Sequence, residues 1–309
     1  MQPLTHEKIH GTWGTVLLPI NADESIDYGR LEDELDHMIA AGLDGLYTNG
    51  TAGEFYTQTE DEFDRVSQIA TERCERAGMP FQLGVGHMSA QLALERLRRM
   101  RALRPGAVQV ILPDWIAPTD DEAIAFLQRM AEAAAPVPLV LYNPPHAKRA
   151  LDPATIGRLR AAVPAIVGIK VADGGPSWYA AVREHLLGCS VFVPGHHLAT
   201  GVLQGAHGSY SNVACLAPRG AKRWYDLMHT DIGAALAIQR KILAFFQMHI
   251  APLAGQGYSN PALDKLLAAI GGWAAIGTRL RWPYRGVSTD EARRLAPIAR
   301  ETAPELFDD

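Results

Sequence analysis

Cysteine is scarce in this chain. Cys74, Cys189 and Cys215 are far apart and odd in number among 309 residues. They offer neither metal-ligand spacing nor a disulfide framework, and they point to a reducing cytoplasm. Positive charge is not in excess either. The formal net charge is −5, which leaves no electrostatic footprint for nucleic acid and no polybasic patch for a membrane. No apolar run reaches the length of a bilayer span. Residues 1–20 place His6, Glu7, Lys8 and His10 ahead of any apolar run, so no signal peptide is expected. A glycine-rich dinucleotide loop is also missing, because Gly84-Val85-Gly86 lacks a third glycine and runs into His87-Met88. What remains is 48% hydrophobic and 20% charged, a globular composition long enough for one large α/β barrel or two ordinary domains.

Lysine is the other scarcity, with six in the chain. Lys8, Lys148, Lys222, Lys241 and Lys265 sit beside charged or polar residues and read as solvated. Lys170 differs, because it ends an apolar, strand-type run at 165–170. An ammonium there costs free energy unless it is paired or neutral. A lysine of lowered pKa is a nucleophile for carbonyl carbon. The plainer alternative is a side chain that snorkels out to water or to a carboxylate.

Short apolar runs alternate with helical patterns. Strands are expected at 14–19, 45–47, 81–86, 107–113, 138–143, 165–170, 190–193 and 206–211. Helices are expected at 27–41, from 59, at 90–103, 119–134 and 152–162. Near-continuous apolar strands separated by helices argue for a parallel sheet covered on both faces. Eight such units within residues 1–216 fit a (β/α)8 TIM barrel, with a doubly wound open sheet as the alternative. From 217 to 309 helical patterns dominate, at 219–228, 232–250, 261–270 and 289–299, and a C-terminal helical domain is expected there. Chemistry in such a barrel sits at the C-terminal ends of the strands. The polar residues at those ends include Thr48, Asn49, Thr51, Glu54, Asp114, Trp115, Tyr142, Asn143, Lys170, Gly195, His196, His197 and Tyr210. Tyr142 and Lys170 end adjacent strands and should face one cavity. A tyrosine beside an imine-forming lysine is a suitable proton shuttle.

Three motifs stand in order: Gly50-Thr51-Ala52-Gly53-Glu54, Tyr142-Asn143-Pro144-Pro145, and Gly168-Ile169-Lys170 with its lysine 28 residues after Tyr142. Together they resemble the dihydrodipicolinate synthase / N-acetylneuraminate lyase family. The likeness extends to the Gly195 turn, to Gly205-Ala206-His207-Gly208 and to Arg281-Trp282-Pro283. It implies a (β/α)8 barrel with a C-terminal helical domain, usually assembled as a homotetramer. It also implies a Schiff-base-dependent lyase (aldolase, synthase or dehydratase) acting on pyruvate or a related 2-oxo acid. On this resemblance Lys170 is the Schiff-base nucleophile, Tyr142 the proton shuttle and Thr51 its relay. The backbone amides of Thr51 and Ala52 would hold the substrate carboxylate. Gly195 and Tyr210 would surround the keto acid, and Glu54 would support the loop. No cofactor and no metal are implied.

The departures leave the lysine–tyrosine half of the chemistry intact. Ala52 replaces the motif's second hydroxyl. Trp115 stands where the synthase has a tyrosine, and indole cannot relay a proton. Ala147 stands where the synthase has an arginine after Y-N-x-P, with His146, Lys148 and Arg149 around it. Lys148 or Arg149 takes that role only if the loop is rearranged. These changes point to a different aldehyde, or to dehydration or retro-aldol cleavage of a sugar-derived 2-oxo acid. His87, His146, His196 and His197 read either as partners for substrate hydroxyls or as solvated loop residues. His196-His197 lacks the spacing of a metal pair. Two other readings stay open: a metal-dependent enolising barrel enzyme, and a non-catalytic keto-acid-binding barrel.

Overall fold

The computed structural model describes residues 1–307. Its eight strands are parallel and close into a barrel in chain order: β1 (Gly11–Thr15), β2 (Gly45–Thr48), β3 (Phe81–Gly84), β4 (Ala107–Val110), β5 (Leu139–Asn143), β6 (Ile166–Val171), β7 (Ser190–Phe192) and β8 (Gly208–Tyr210). β8 returns to β1 with Gly11 opposite Gly208. The helices between and after the strands are α1 (Tyr28–Ala40), α2 (Glu60–Ala77), α3 (Ala90–Arg101), α4 (Asp120–Ala134), α5 (Pro153–Ala162), α6 (Pro176–His185), α7 (Leu198–Gln204) and α8 (Asn212–Leu216). The rest of the chain adds α9 (Pro218–Thr230), α10 (Ile232–Phe245), α11 (Ala251–Gly255), α12 (Asn260–Gly271) and α13 (Thr289–Thr302). None of the described helices is long and apolar enough to cross a membrane.

The period-2 alternation of a strand sorts the side chains into two layers. Leu46, Leu83, Val108, Leu141, Ile169 and Val191 face outward and join the core beneath the helices. Trp13, Tyr47, Ala107, Val140, Phe192 and Tyr210 face inward and make a separate cluster inside the barrel. Helix starts follow local chemistry. Asp27, Ser89 and Asp152 accept a backbone N–H at the first turns of α1, α3 and α5, and Thr59–Glu62 and Thr119–Glu122 form reciprocal capping boxes.

Three expectations need correction. The first strand lies at Gly11–Thr15, not 14–19. Val16 still donates to the Tyr47 carbonyl, but the Leu17 N–H donates to the Glu34 carboxylate at 2.7 Å, so the apolar run continues past the ladder into a buried loop. The helix expected at 232–250 is α10 followed by a π-helical turn, Phe246–Ile250. Lys265 is not solvated. It is fully buried on α12, ion-paired with the equally buried Glu54 at 2.5 Å, and it donates to the Arg279 carbonyl at 2.6 Å. Its charged neighbours in sequence gave no sign of a partner on the loop after β2.

Breaking a buried pair strands the remaining charge, so Lys265→Met should cost roughly 3–5 kcal/mol. The expected readout is a fall in the midpoint of chemical unfolding. The double variant Lys265→Met/Glu54→Gln should recover part of the loss. A double variant no more stable than the single one would show that Glu54 does not need its partner.

Candidate active site

β5 and β6 pair with Tyr142 opposite Lys170, so both side chains point inward at the C-terminal end of the barrel. Lys170 is half-buried there. Its Nζ donates to Tyr47 Oη at 3.1 Å and lies 4.3 Å from the Tyr142 ring centroid, 5.0 Å from that of Tyr47 and 5.1 Å from that of Tyr210. Three aromatic rings thus replace much of the amine's water. Desolvation lowers its pKa from 10.5 to about 8, against a smaller opposing pull from the Asp264 carboxylate. Tyr142 is buried, which pushes its hydroxyl up to about 12 despite the hydrogen bond it accepts from Thr51 Oγ1 at 3.2 Å.

The loop after β2 brings Thr51 to this point through an unusual backbone. Asn49 and Glu54 have positive φ, 54° and 49°, a conformation held only where the surroundings fix it. Here they do. Asn49 donates to Ser67 at 2.8 Å, Gln58 donates to the Gly53 carbonyl at 2.9 Å, and Glu54 pairs with Lys265 while accepting from the Arg281 N–H at 3.3 Å. Gly50 is required by packing, because a Cβ there would lie 2.4 Å from the Tyr47 ring.

Above Lys170 opens a cavity of about 570 Å³. Thr51 and Tyr142 form its floor. Phe55, Tyr56, Ile111, Tyr258 and Tyr284 give it apolar walls, and His87 and His146 are its titratable edges. Lys148 and Arg149 also line it, but both are engaged. Lys148 donates to the Trp115 carbonyl and sits 4.9 Å over that indole. Arg149 donates to the Pro118 carbonyl at 2.9 Å and pairs with Asp120. Trp115 itself is 73% exposed. Ala52 is buried in the outer core. Gly195 is buried against Asn212 and Ser211, where a Cβ would approach within 2.7 Å. The Tyr210 hydroxyl donates to Gln82 inside the barrel. His196 accepts from Asn212 at 2.8 Å and stacks on Phe246; burial lowers its pKa to about 4, so it is neutral at ordinary pH. Among the described residues no three His, Cys, Asp or Glu side chains cluster closely enough to hold a metal.

The structure thus brings Lys170, Tyr142, Thr51 and Tyr210 together, and leaves Trp115, His146 and Lys148 at the mouth. It also adds two groups that sequence reasoning passed over. Tyr47 reads as an ordinary strand residue until the strand phase is known; counting in twos from Gly45 would have turned it inward. Asp264 sits on α12 beside Lys265 and reads as surface charge.

A closed parallel barrel with a desolvated lysine and a partnered tyrosine at the C-terminal ends of adjacent strands is the architecture of a class I, lysine-dependent lyase. Residues 8–302 match the model of the dihydrodipicolinate synthetase family, and the chain belongs to that family. It is 30% identical over 300 residues to the 4-hydroxy-tetrahydrodipicolinate synthase of Methylibium petroleiphilum, covering 95% of this chain and 97% of that one. The synthase of Acidiphilium cryptum is 29% identical over 301 residues, 96% of each chain. The fold is that of YagE from E. coli K12, solved in complex with pyruvate (TM-score 0.84, 21% identity, 95% of this chain and 98% of that one). It is equally that of the Ruminococcus gnavus sialic acid aldolase (TM-score 0.83, 16% identity, 97% and 100%).

The neutral amine is the reactive form, so a pKa of about 8 makes Lys170 reactive at a lower pH than a free lysine. Acylation by a small amine reagent, followed by peptide mass spectrometry, should show Lys170 half-maximally reactive near pH 8. A midpoint near about 10.4, the value of a free lysine, would show that the rings do not desolvate the amine.

Proposed function

We propose that the protein forms a Schiff base between Lys170 and a 2-oxo acid, pyruvate or a sugar-derived one, and makes or breaks a bond next to the captured carbonyl. The observation that carries this reading is the Lys170 amine, desolvated and held beside Tyr142, whose hydroxyl is itself hydrogen-bonded to Thr51. The amine attacks the keto carbon. Tyr142, with Thr51 behind it, passes protons to the departing hydroxyl and later to or from the substrate. A phenol pushed up to about 12 stays protonated and is suited to donate first. The amides of Thr51 and Ala52 bind the carboxylate, and Gly195 and Tyr210 close around the keto acid.

The second substrate occupies the 570 Å³ cavity above. Ala147 supplies no charge there, and Lys148 and Arg149 are committed to the neighbouring loop. This favours a partner other than a carboxylate-bearing aldehyde, with Trp115, His146 and Lys148 shaping the entrance. A homotetramer is in keeping with the exposed Trp115, Ile116 and Met88, which a second copy would cover. The three free, buried thiols are in keeping with a cytoplasmic setting.

Borohydride reduction in the presence of pyruvate, read by intact-protein mass, should give an adduct that is absent from Lys170→Ala. Tyr142→Phe should slow adduct formation by about 10²-fold, the usual contribution of a positioned acid–base group. Failure to trap any 2-oxo acid, short or long, would remove the imine from the mechanism.

A further inference from the structure

α12 enters the site by its first turn. Asn260 and Pro261 line the cavity with Thr51 and Tyr142. Residues three and four apart share a helix face, so Asp264 follows them on the cavity side. The next residue, Lys265, is fixed by its 2.5 Å ion pair to Glu54 on the very loop that carries Thr51, so the rotation of α12 at this point is set. Leu263, Lys265, Leu266 and Leu267 around it are buried, while Asp264 keeps partial exposure. Among the described residues its carboxylate has no hydrogen-bond donor and no ion-pair partner within 4 Å. Its charge is nevertheless felt by Tyr47 on β2, Tyr142 on β5, Lys170 on β6 and Cys215 on α8. The carboxylate therefore lies on the face of α12 that turns toward the cup holding the Lys170 amine.

We propose that Asp264 is a positioning residue for the imine step, the resident counter-ion that holds the Lys170 cation in place both before and after the keto acid is captured. The proposal rests on the Schiff-base reading above. In that step the Nζ lone pair forms the bond to the keto carbon, and a proton moves from nitrogen to the former carbonyl oxygen. A second proton, delivered through Tyr142, lets that oxygen leave as water. A neutral amine, a keto-acid anion and one proton thus become an iminium and one water, with the positive charge left on nitrogen. Asp264 is unchanged throughout. Its carboxylate stabilises the cationic ends of the sequence, the ammonium and the iminium.

The other ionisable groups nearby do not compete for this role. Burial keeps the Tyr47, Tyr142, Tyr210 and Cys215 protons on. Glu34 is pushed well above the carboxylate range, and Lys265 is matched by Glu54, on whose far side Arg281 is paired with Glu62. From α13, Arg300 reaches the opposite end of α12, at the Ile270 and Gly271 carbonyls. Asp264 is raised to about 6 by burial, so it is ionised where Lys170, at about 8, loses its proton.

The test is the full-length protein trapped with pyruvate and borohydride, wild type against Asp264→Asn and Asp264→Glu. In the wild type, the initial rate of adduct formation should rise to half its maximum near pH 8. Removing the anion lowers the amine's pKa, so in the Asn variant that midpoint should fall by about one pH unit. At pH 9, where the amine is neutral in both proteins, the iminium alone loses its counter-ion. The pyruvate concentration for half-maximal adduct should then rise by about tenfold, the equivalent of one pKa unit. The Glu variant should keep both wild-type values. If Asp264→Asn does not fold, Asp264→Ser is the second uncharged variant. An unmoved midpoint and pyruvate dependence, or equal changes in the Asn and Glu variants, would overturn the counter-ion role. An absence of adduct in the wild type with any 2-oxo acid would overturn the Schiff-base reading itself.

Discussion

An ammonium ion loses more by leaving water than aromatic rings can return, and the architecture of this barrel follows from keeping one lysine amine at that boundary. β6 delivers Lys170 to the mouth of the barrel. Tyr142, Tyr47 and Tyr210 remove most of its solvent, while Tyr47 supplies one hydrogen bond so that the amine is not left wholly unsatisfied. That arrangement reaches into the backbone. The Tyr47 ring fits only because residue 50 has no side chain, and the turn beyond it carries two non-glycine residues in the left-handed region. Local strain after β2 is thus one consequence of crowding a lysine at the end of β6.

The second consequence is the buried ion pair between Glu54 and Lys265. A charged pair out of water is poor evidence for stability in itself, but it is strict about geometry. It ties the strained loop to α12, and α12 in turn carries Asn260 and Pro261 to the cavity. The helical part of the chain is therefore more than a cover for the barrel. It supplies one wall of the site.

Much of the barrel was legible because parallel strands, buried on both faces, appear as unbroken apolar runs between helical periods. The first strand was misplaced because the most apolar residues there, Val16 to Leu18, form a buried loop, whereas the ladder itself begins at Gly11-Thr12. Lys170, Tyr142 and Thr51 were legible from motif order and spacing. Tyr47 was not, because facing inward or outward is a matter of strand phase that a four-residue strand hardly displays. Lys265 was misread, and Asp264 beside it passed over, for one reason: adjacent opposite charges on a helix look solvated, and the burial of Lys265 depends on a loop far away in sequence. Lys148 and Arg149 showed the reverse problem. Charge near a mouth suggests a ligand clamp, yet these side chains fasten the loop after β5 to the loop after β4.

The Glu54–Lys265 tie also bears on how such a chain can be recombined. The strained turn and the α12 segment form one mechanical unit, although the greater part of the barrel separates them along the sequence. Grafting the C-terminal helices of a relative onto this barrel would transplant half of an ion pair and shift the register of the wall above the lysine. The seam suggested by the change from alternating strands to continuous helix is a poor place to cut. Compatible exchange requires that residues 50–54 and 260–265 come from the same parent.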